Sequence, residues 1–178
     1  MTVRETCLKA KEHVAAIAFA GEDKMNMMLI AAAGALRSNA AYIIEENRKD
    51  MQLCTRGPQF VDRLMLDEKR IDGIAAGLEK LVQLKCPVGE VLEERELYNG
   101  LRLRRVRVPL GVLGIIYEAR PNVTADAVGL AIKSGNAVVL RGSKDAIRSN
   151  IAVCSVIKNA LREAGFDPEF IQLIEDTS

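Results

Sequence analysis

The sequence has no tryptophan, and aromatic residues make up only 4% of it. A surface that stacks nucleic-acid bases needs several aromatic faces, so that class of binder has no support. An excess of charge of one sign is also missing. Lys+Arg 25 against Asp+Glu 24 leaves a formal charge of +1, so no overall field draws the chain to nucleic acid or to an anionic membrane. Histidine occurs once, at position 13, which argues against His-rich metal sites and against a Ser–His or Cys–His relay elsewhere in the chain. The four cysteines, Cys7, Cys54, Cys86 and Cys154, form no CxxC pair. They read as free thiols of a cytosolic protein rather than a disulfide frame or zinc site. Charge interrupts every apolar run before it reaches the width of a bilayer. The opening MTVRETCLKAKEH carries charges where a signal peptide needs an apolar centre. The expected location is the cytoplasm, with no metal, nucleic-acid or membrane partner. Repeats and low-complexity tracts are absent, and so are a GxGxxG fingerprint after a strand and a P-loop.

What is present suits a folded chain. The 178 residues are 49% hydrophobic and 28% charged, enough for one core and at most two small domains. The first part reads as helical. Thr2 and Glu5 have capping-box spacing, and Val3, Cys7, Ala10, Val14 and Ile17 recur along one helix face. A second helix is predicted from Glu22–Asp23 to about Asn47, with the Met27-Met28 pair in the core rather than in a copper site. Residues 54–60, with Gly57-Pro58, read as a loop. A third helix follows Asp67, with Ile71, Ile74, Leu78 and Leu81 on one face.

Asn99-Gly100 then predicts a β-hairpin with strands at 90–98 and 101–108, because both central residues of a tight turn must tolerate positive φ. Apolar residues change parity along the second strand, which predicts a bulge near Arg104-Arg105. With Arg102, Arg104, Arg105 and Arg107 this strand is either a phosphate patch or a charged edge or subunit interface.

Beyond the hairpin the pattern is strand (113–117), helix (125–133), strand (137–140), helix (144–164), strand (170–174). Gly135 and Gly165 end the helices, and Ser143 is placed to cap the second. Gly111 and Gly114 are expected to serve close packing. Short links imply parallel pairing, so the fold class is α/β: N-terminal helices, a β-hairpin, then a βαβαβ half of a doubly wound sheet. An unprotected strand so near residue 178 predicts a piece of a longer protein.

Ligands of open α/β sheets sit at the C-terminal ends of the strands. Two segments lie there, Glu118–Asn122 and Arg141–Lys144. The Asn122 amide is either a neutral donor for a developing oxyanion or a helix cap. Arg120 is either an anion ligand or part of a structural salt bridge. Arg141, Gly142, Ser143 and Lys144 offer cations and a helix N-terminus to a phosphate, unless Ser143 is only a cap. Cys154 and Cys7 fall on apolar helix faces, where burial makes a thiol inert. Cys54 and Cys86 fall in loops without an adjacent base.

The run VPLGVLGIIYEARPNVTADA (108–127) resembles the gamma-glutamyl phosphate reductase family, also called glutamate-5-semialdehyde dehydrogenases, of the aldehyde dehydrogenase superfamily. So do LAIKSGNAVVLRG (130–142), IQLIEDTS (171–178), DRL (62–64), PVGEVL (87–92) and NGLRLRRVRVP (99–109). The resemblance implies the N-terminal portion of an oxidoreductase of proline, and hence amino-acid, biosynthesis. Such an enzyme reduces L-glutamyl 5-phosphate to L-glutamate 5-semialdehyde with NADPH. It implies three regions: 1–86 and 110–178 in the Rossmann-like cofactor domain, and 87–109 as the hairpin of an oligomerisation element. It gives Asn122 the oxyanion role and Arg141, Gly142, Ser143 and Lys144 the adenosine ribose of the cofactor, while Arg120 is the candidate substrate contact by its place after the first strand. Ser143 and Lys144 depart from the family's glycine and small polar residue. The family's nucleophilic cysteine falls beyond residue 178, so the resemblance predicts no activity from these residues alone. A homo-oligomer and a glutamate 5-kinase partner are further expectations. The alternative is a catalytically inactive nucleotide-binding or regulatory module.

Overall fold

Thr2 opens the first helix as its spacing to Glu5 predicts. In this computed structural model, which describes residues 1–176, the Thr2 N–H donates to Glu5 Oε2 (2.8 Å) and the Glu5 N–H to Thr2 Oγ1 (3.3 Å). Thr177 and Ser178, which end the 110–178 segment, lie outside the described residues. The single helix predicted through Ile17 is two, α1 (Val3–Glu12) and α2 (Val14–Ala18). Between them the His13 ring Nδ1 sits 2.8 Å from the Lys9 carbonyl oxygen, and the His13 N–H bonds to Ala10 O instead. The side chain thus takes the carbonyl that an unbroken helix would need. Ala10 and Ile17 are buried, but Val3 and Cys7 are exposed, so Cys7 is not on a buried face.

The helix predicted from Glu22 to Asn47 is also broken. α3 (Glu22–Ser38) and α4 (Ala40–Leu53) meet at Asn39 with a bend of 69°. Asn39 Nδ2 donates to Ala35 O (2.8 Å), again a side chain competing with the helical ladder. Among the described residues no single helix is long and apolar enough to cross a membrane, and the bent pair qualifies by length and composition only. Met28 is in the core, whereas Met27 is exposed. The loop at 54–60 is shorter than expected, because Pro58 takes the first position of α5 (Pro58–Leu64), where no N–H is needed. α6 (Glu68–Gln83) is capped by Asp67, which accepts from the Arg70 N–H (2.7 Å).

β1 (Val91–Glu96) and β2 (Arg102–Val106) form the hairpin, and every residue of the two strands is exposed. Its turn differs from the expected two-residue form. The Leu97 N–H donates to Leu101 O (2.8 Å) and the Gly100 N–H to Leu97 O (2.9 Å), and only Gly100 has positive φ. This is a three-residue connection with glycine in the left-handed position. The bulge lies on β1 between Val91 and Glu93, not at Arg104-Arg105. Arg104, Arg105 and Arg107 pair with Glu94 (3.3 Å), Glu93 (3.9 Å) and Glu90 (3.3 Å). Cross-strand carboxylates meet these three arginines.

β3 (Val112–Ile116), β4 (Ala137–Arg141) and β5 (Ile171–Leu173) form a parallel sheet in that order. α7 (Asn122–Lys133) and α8 (Ile147–Glu163) join them, the latter after a 3-10 turn at Lys144–Ala146. Successive residues Ala137–Leu140 are all buried, so both faces of β4 are covered. α1 runs against all three strands, α7 packs on β4 and α8 on β5, with α3 against α6, α7 and α8. One core therefore joins the N-terminal helices to the sheet. β3 is an edge whose Val112, Gly114 and Ile116 are exposed. A Cβ at Gly111 or Gly114 would meet nothing within 4 Å, so neither serves close packing; Gly111 is required by its φ of +112°.

Two polar clusters hold distant segments together. Buried Asn47 on α4 donates to Leu64 O (2.8 Å) and Ser149 Oγ (3.0 Å) and accepts from the Leu66 N–H (2.8 Å). Three residues on, Asp50 accepts from the Arg148 N–H (3.3 Å) and from Ser149 N–H (2.8 Å) and Oγ–H (2.6 Å). Asp50 thus caps α8 from another helix, since Ala146 has no side chain to do so. Ser143 caps only the 3-10 turn. At the far end of the sheet Glu169 meets Lys9 (2.7 Å) from α1 and Lys158 (3.1 Å) from α8. Burial pushes its carboxyl up, but these cations and Gln172 outweigh it and hold it at about 2.

Candidate functional site

The turns after β3 and β4 are fixed by a second, small apolar cluster. Leu64, Ala119 and Ala146 are buried together, with Met51, Cys54 and Phe60 against them. The 118–121 turn and the start of α8 are thereby pinned to the 51–64 segment.

Asn122 is the first residue of α7, which begins three residues before the sequence predicts. Pro121 occupies the cap position and makes no side-chain cap bond, so Asn122 is not the cap. Its Nδ2 instead donates to Asp126 Oδ2 (3.1 Å), one turn along the same helix. An amide nitrogen has two hydrogens. Asp126 takes one, which fixes the amide's orientation. Burial pushes the Asp126 carboxyl up, and the Asn122 hydrogen bond offsets this in part. Both side chains line a cleft of about 290 Å³ together with Arg63, Leu66, Arg70 and Ile74. Arg70 is engaged by Asp62 Oδ1 (2.7 Å) and Met65 O (2.9 Å). Arg120 is exposed, has no recorded ion pair among the described residues, and lies outside the lining of this cleft.

The second segment is drawn tightly onto the interior. A Cβ on Gly142 would run into Asn150 Nδ2 and come within 3.1 Å of Tyr117 Cε2. Beneath it Asn150 Oδ1 accepts from Thr124 Oγ1 (3.1 Å), which lies 2.7 Å from the Tyr117 hydroxyl. Burial pushes the Tyr117 phenol up to about 12. Among the described residues Asn150 Nδ2 has no hydrogen-bond partner. Arg141 donates to Asp176 O (3.2 Å). Ser143 Oγ accepts from the Asp145 N–H (3.2 Å), and Asp145 is paired with Arg56 (3.1 Å). Lys144 is exposed. Gly142 is thus required by close packing on Asn150 and Tyr117, with the exposed Lys144 two residues on.

No cysteine lines the Asn122 cleft. Cys154 is buried and pushed up to about 11, Cys86 is buried beside Met25 Sδ (3.9 Å), Cys54 is half-buried and Cys7 is exposed. Among the described residues no three His, Cys, Asp or Glu side chains could hold a metal ion. Sequence reasoning missed Asp126; its spacing of four from Asn122 on a helix was the available signal.

No family model matches the chain. Its sequence is 46% identical over 173 residues to the gamma-glutamyl phosphate reductase of Bacillus mycoides and 50% identical to that of Lachnospira eligens, in each case across 96% of this chain and 42% of the relative. The solved gamma-glutamyl phosphate reductase of Thermotoga maritima superimposes with a TM-score of 0.95 at 39% identity, covering 98% of this chain and 43% of that one. A glyceraldehyde-3-phosphate dehydrogenase of Methanocaldococcus jannaschii, solved with NADP, gives a TM-score of 0.72 at 16% identity over 96% of this chain and 35% of its own. That second likeness is one of fold alone. The chain spans about two fifths of the length of the curated relatives it matches.

Proposed function

We propose, for a chain that belongs with the gamma-glutamyl phosphate reductases over the two fifths of their length that it spans, that it serves the NADPH-dependent reduction of L-glutamyl 5-phosphate to L-glutamate 5-semialdehyde in proline biosynthesis, as part of a longer cytoplasmic enzyme. The observation that carries this reading is the Asn122 amide, oriented by Asp126 in a cleft at the C-terminal end of β3. A neutral donor held there can take up the oxyanion that forms when a nucleophile adds to an acyl phosphate. Expulsion of phosphate then leaves an acyl-enzyme, and splitting the reaction in this way lowers each barrier. The nucleophile comes from outside these residues, since no cysteine lines the cleft.

The cofactor supplies hydride when bound. Gly142 lets the 141–144 loop lie against Asn150 and Tyr117, and Lys144 and Arg141 are the cations that would meet a 2′-phosphate, with Asp145 neutralised by Arg56. Residues 1–86 and 110–178 form the cofactor-binding part. Residues 87–109 project as an oligomerisation element towards a second copy of the chain. A two-stranded hairpin is marginal alone, and this one exposes Val91, Leu92, Leu103 and Val106. Leu103→Glu is expected to shift the protein towards monomer in analytical ultracentrifugation; an unchanged mass would place the interface elsewhere.

The test of the reaction is run in reverse, on the protein at its natural length. NADP should be reduced by L-glutamate 5-semialdehyde only when inorganic phosphate is added. Reduction independent of phosphate would exclude acyl-phosphate chemistry. Cofactor binding with no turnover would favour an inactive nucleotide-binding module.

A further inference from the structure

Two ionisable groups in the Asn122 cleft have no charged partner among the described residues. Asp126 is a half-buried carboxylate whose one recorded partner is the neutral Asn122 amide. Arg63 lines the same cleft and has no recorded ion pair among the described residues. A partly buried carboxylate without a cation is costly, and its cost falls when a ligand brings one. The other lining cation, Arg70, is already held by Asp62 and Met65 and shapes the wall. Leu66 and Ile74 add an apolar side suited to methylene groups.

We propose that Asp126 and Arg63 receive the zwitterionic head of an α-amino acid, Asp126 binding its ammonium group and Arg63 its carboxylate. Asp126 is therefore a specificity residue as well as the group that orients Asn122. The inference rests on the reading that Asn122 faces the reacting carbon.

The experiment separates the two roles. L-Glutamate and glutarate, which lacks the amino group, are titrated calorimetrically into the protein at its natural length and into its Asp126→Asn variant. A hydrogen-bonded charge pair is worth roughly 10- to 100-fold in affinity, so L-glutamate should weaken by that factor while glutarate weakens far less. Equal weakening of both would overturn ammonium recognition. Arg63→Gln, a change at an exposed position, should weaken both ligands; binding of both at wild-type strength would overturn the carboxylate half. Phosphate-dependent oxidation of L-glutamate 5-semialdehyde and of 5-oxopentanoate is measured in parallel. If Asp126-dependent binding of L-glutamate persists without any turnover, the reductase reading fails and this inference stands. If turnover persists with the same preference between the two aldehydes in wild type and Asp126→Asn, this inference fails and the reductase reading stands.

Discussion

Asn122→Ala is expected to lower turnover of the complete reductase by about two to three powers of ten, the usual effect of removing one oxyanion donor. The argument rests on one bond. Asp126 accepts one Asn122 amide hydrogen at 3.1 Å, so the nitrogen, not the oxygen, is presented near the carboxylate and its second hydrogen is the one that would meet substrate. Cofactor affinity should be unaffected, because the 141–144 segment is a separate loop. Asn122→Asp should be at least as damaging, since it replaces the donor by an acceptor beside a second carboxylate. Steady-state kinetics of both variants decide the matter, and a turnover within threefold of wild type would remove Asn122 from the reacting centre.

The second large effect is on stability. Asn47→Leu should destabilise the protein by roughly 3 kcal/mol. Asn47 is 1% exposed and satisfies the Leu64 carbonyl, the Leu66 N–H and the Ser149 hydroxyl at once. Leucine has similar volume but leaves two buried backbone groups without partners, each of which carries its full desolvation cost. Denaturant unfolding of wild type and variant measures the difference. A loss below 1 kcal/mol would mean that the 64–66 segment finds other partners or water.

Local signals made much of the architecture legible. The Thr2–Glu5 capping box, the Asp67 cap, the apolar face of α6 and the strand–helix–strand alternation after residue 110 all depend on near neighbours. The breaks at His13 and Asn39 were not legible from hydrophobic spacing, because a side chain that takes one carbonyl leaves the apolar pattern intact. Cys7 shows the related limit: the stripe places it beside Ala10, yet of the two only Ala10 is buried. At the site, Asn122 and the 141–144 segment followed from their place at strand ends. Asn122's freedom from a capping role did not, since it depends on α7 starting at Asn122 itself. Arg63 and Asp126 are 63 residues apart in sequence, and only the folded chain shows them in one cleft.

The cap that Asp50 places on α8 also bears on the order of folding. Most helix caps close with the first turn, because the capping residue adjoins it. Here the carboxylate that bonds the Ser149 N–H comes from 99 residues away, and a contact of that span must await the loop entropy between its ends. α8 is therefore expected to nucleate with its first turn open and to gain this cap late. Substitution at Asp50 is then expected to raise the rate of unfolding more than it lowers the rate of folding, which stopped-flow kinetics in denaturant would measure.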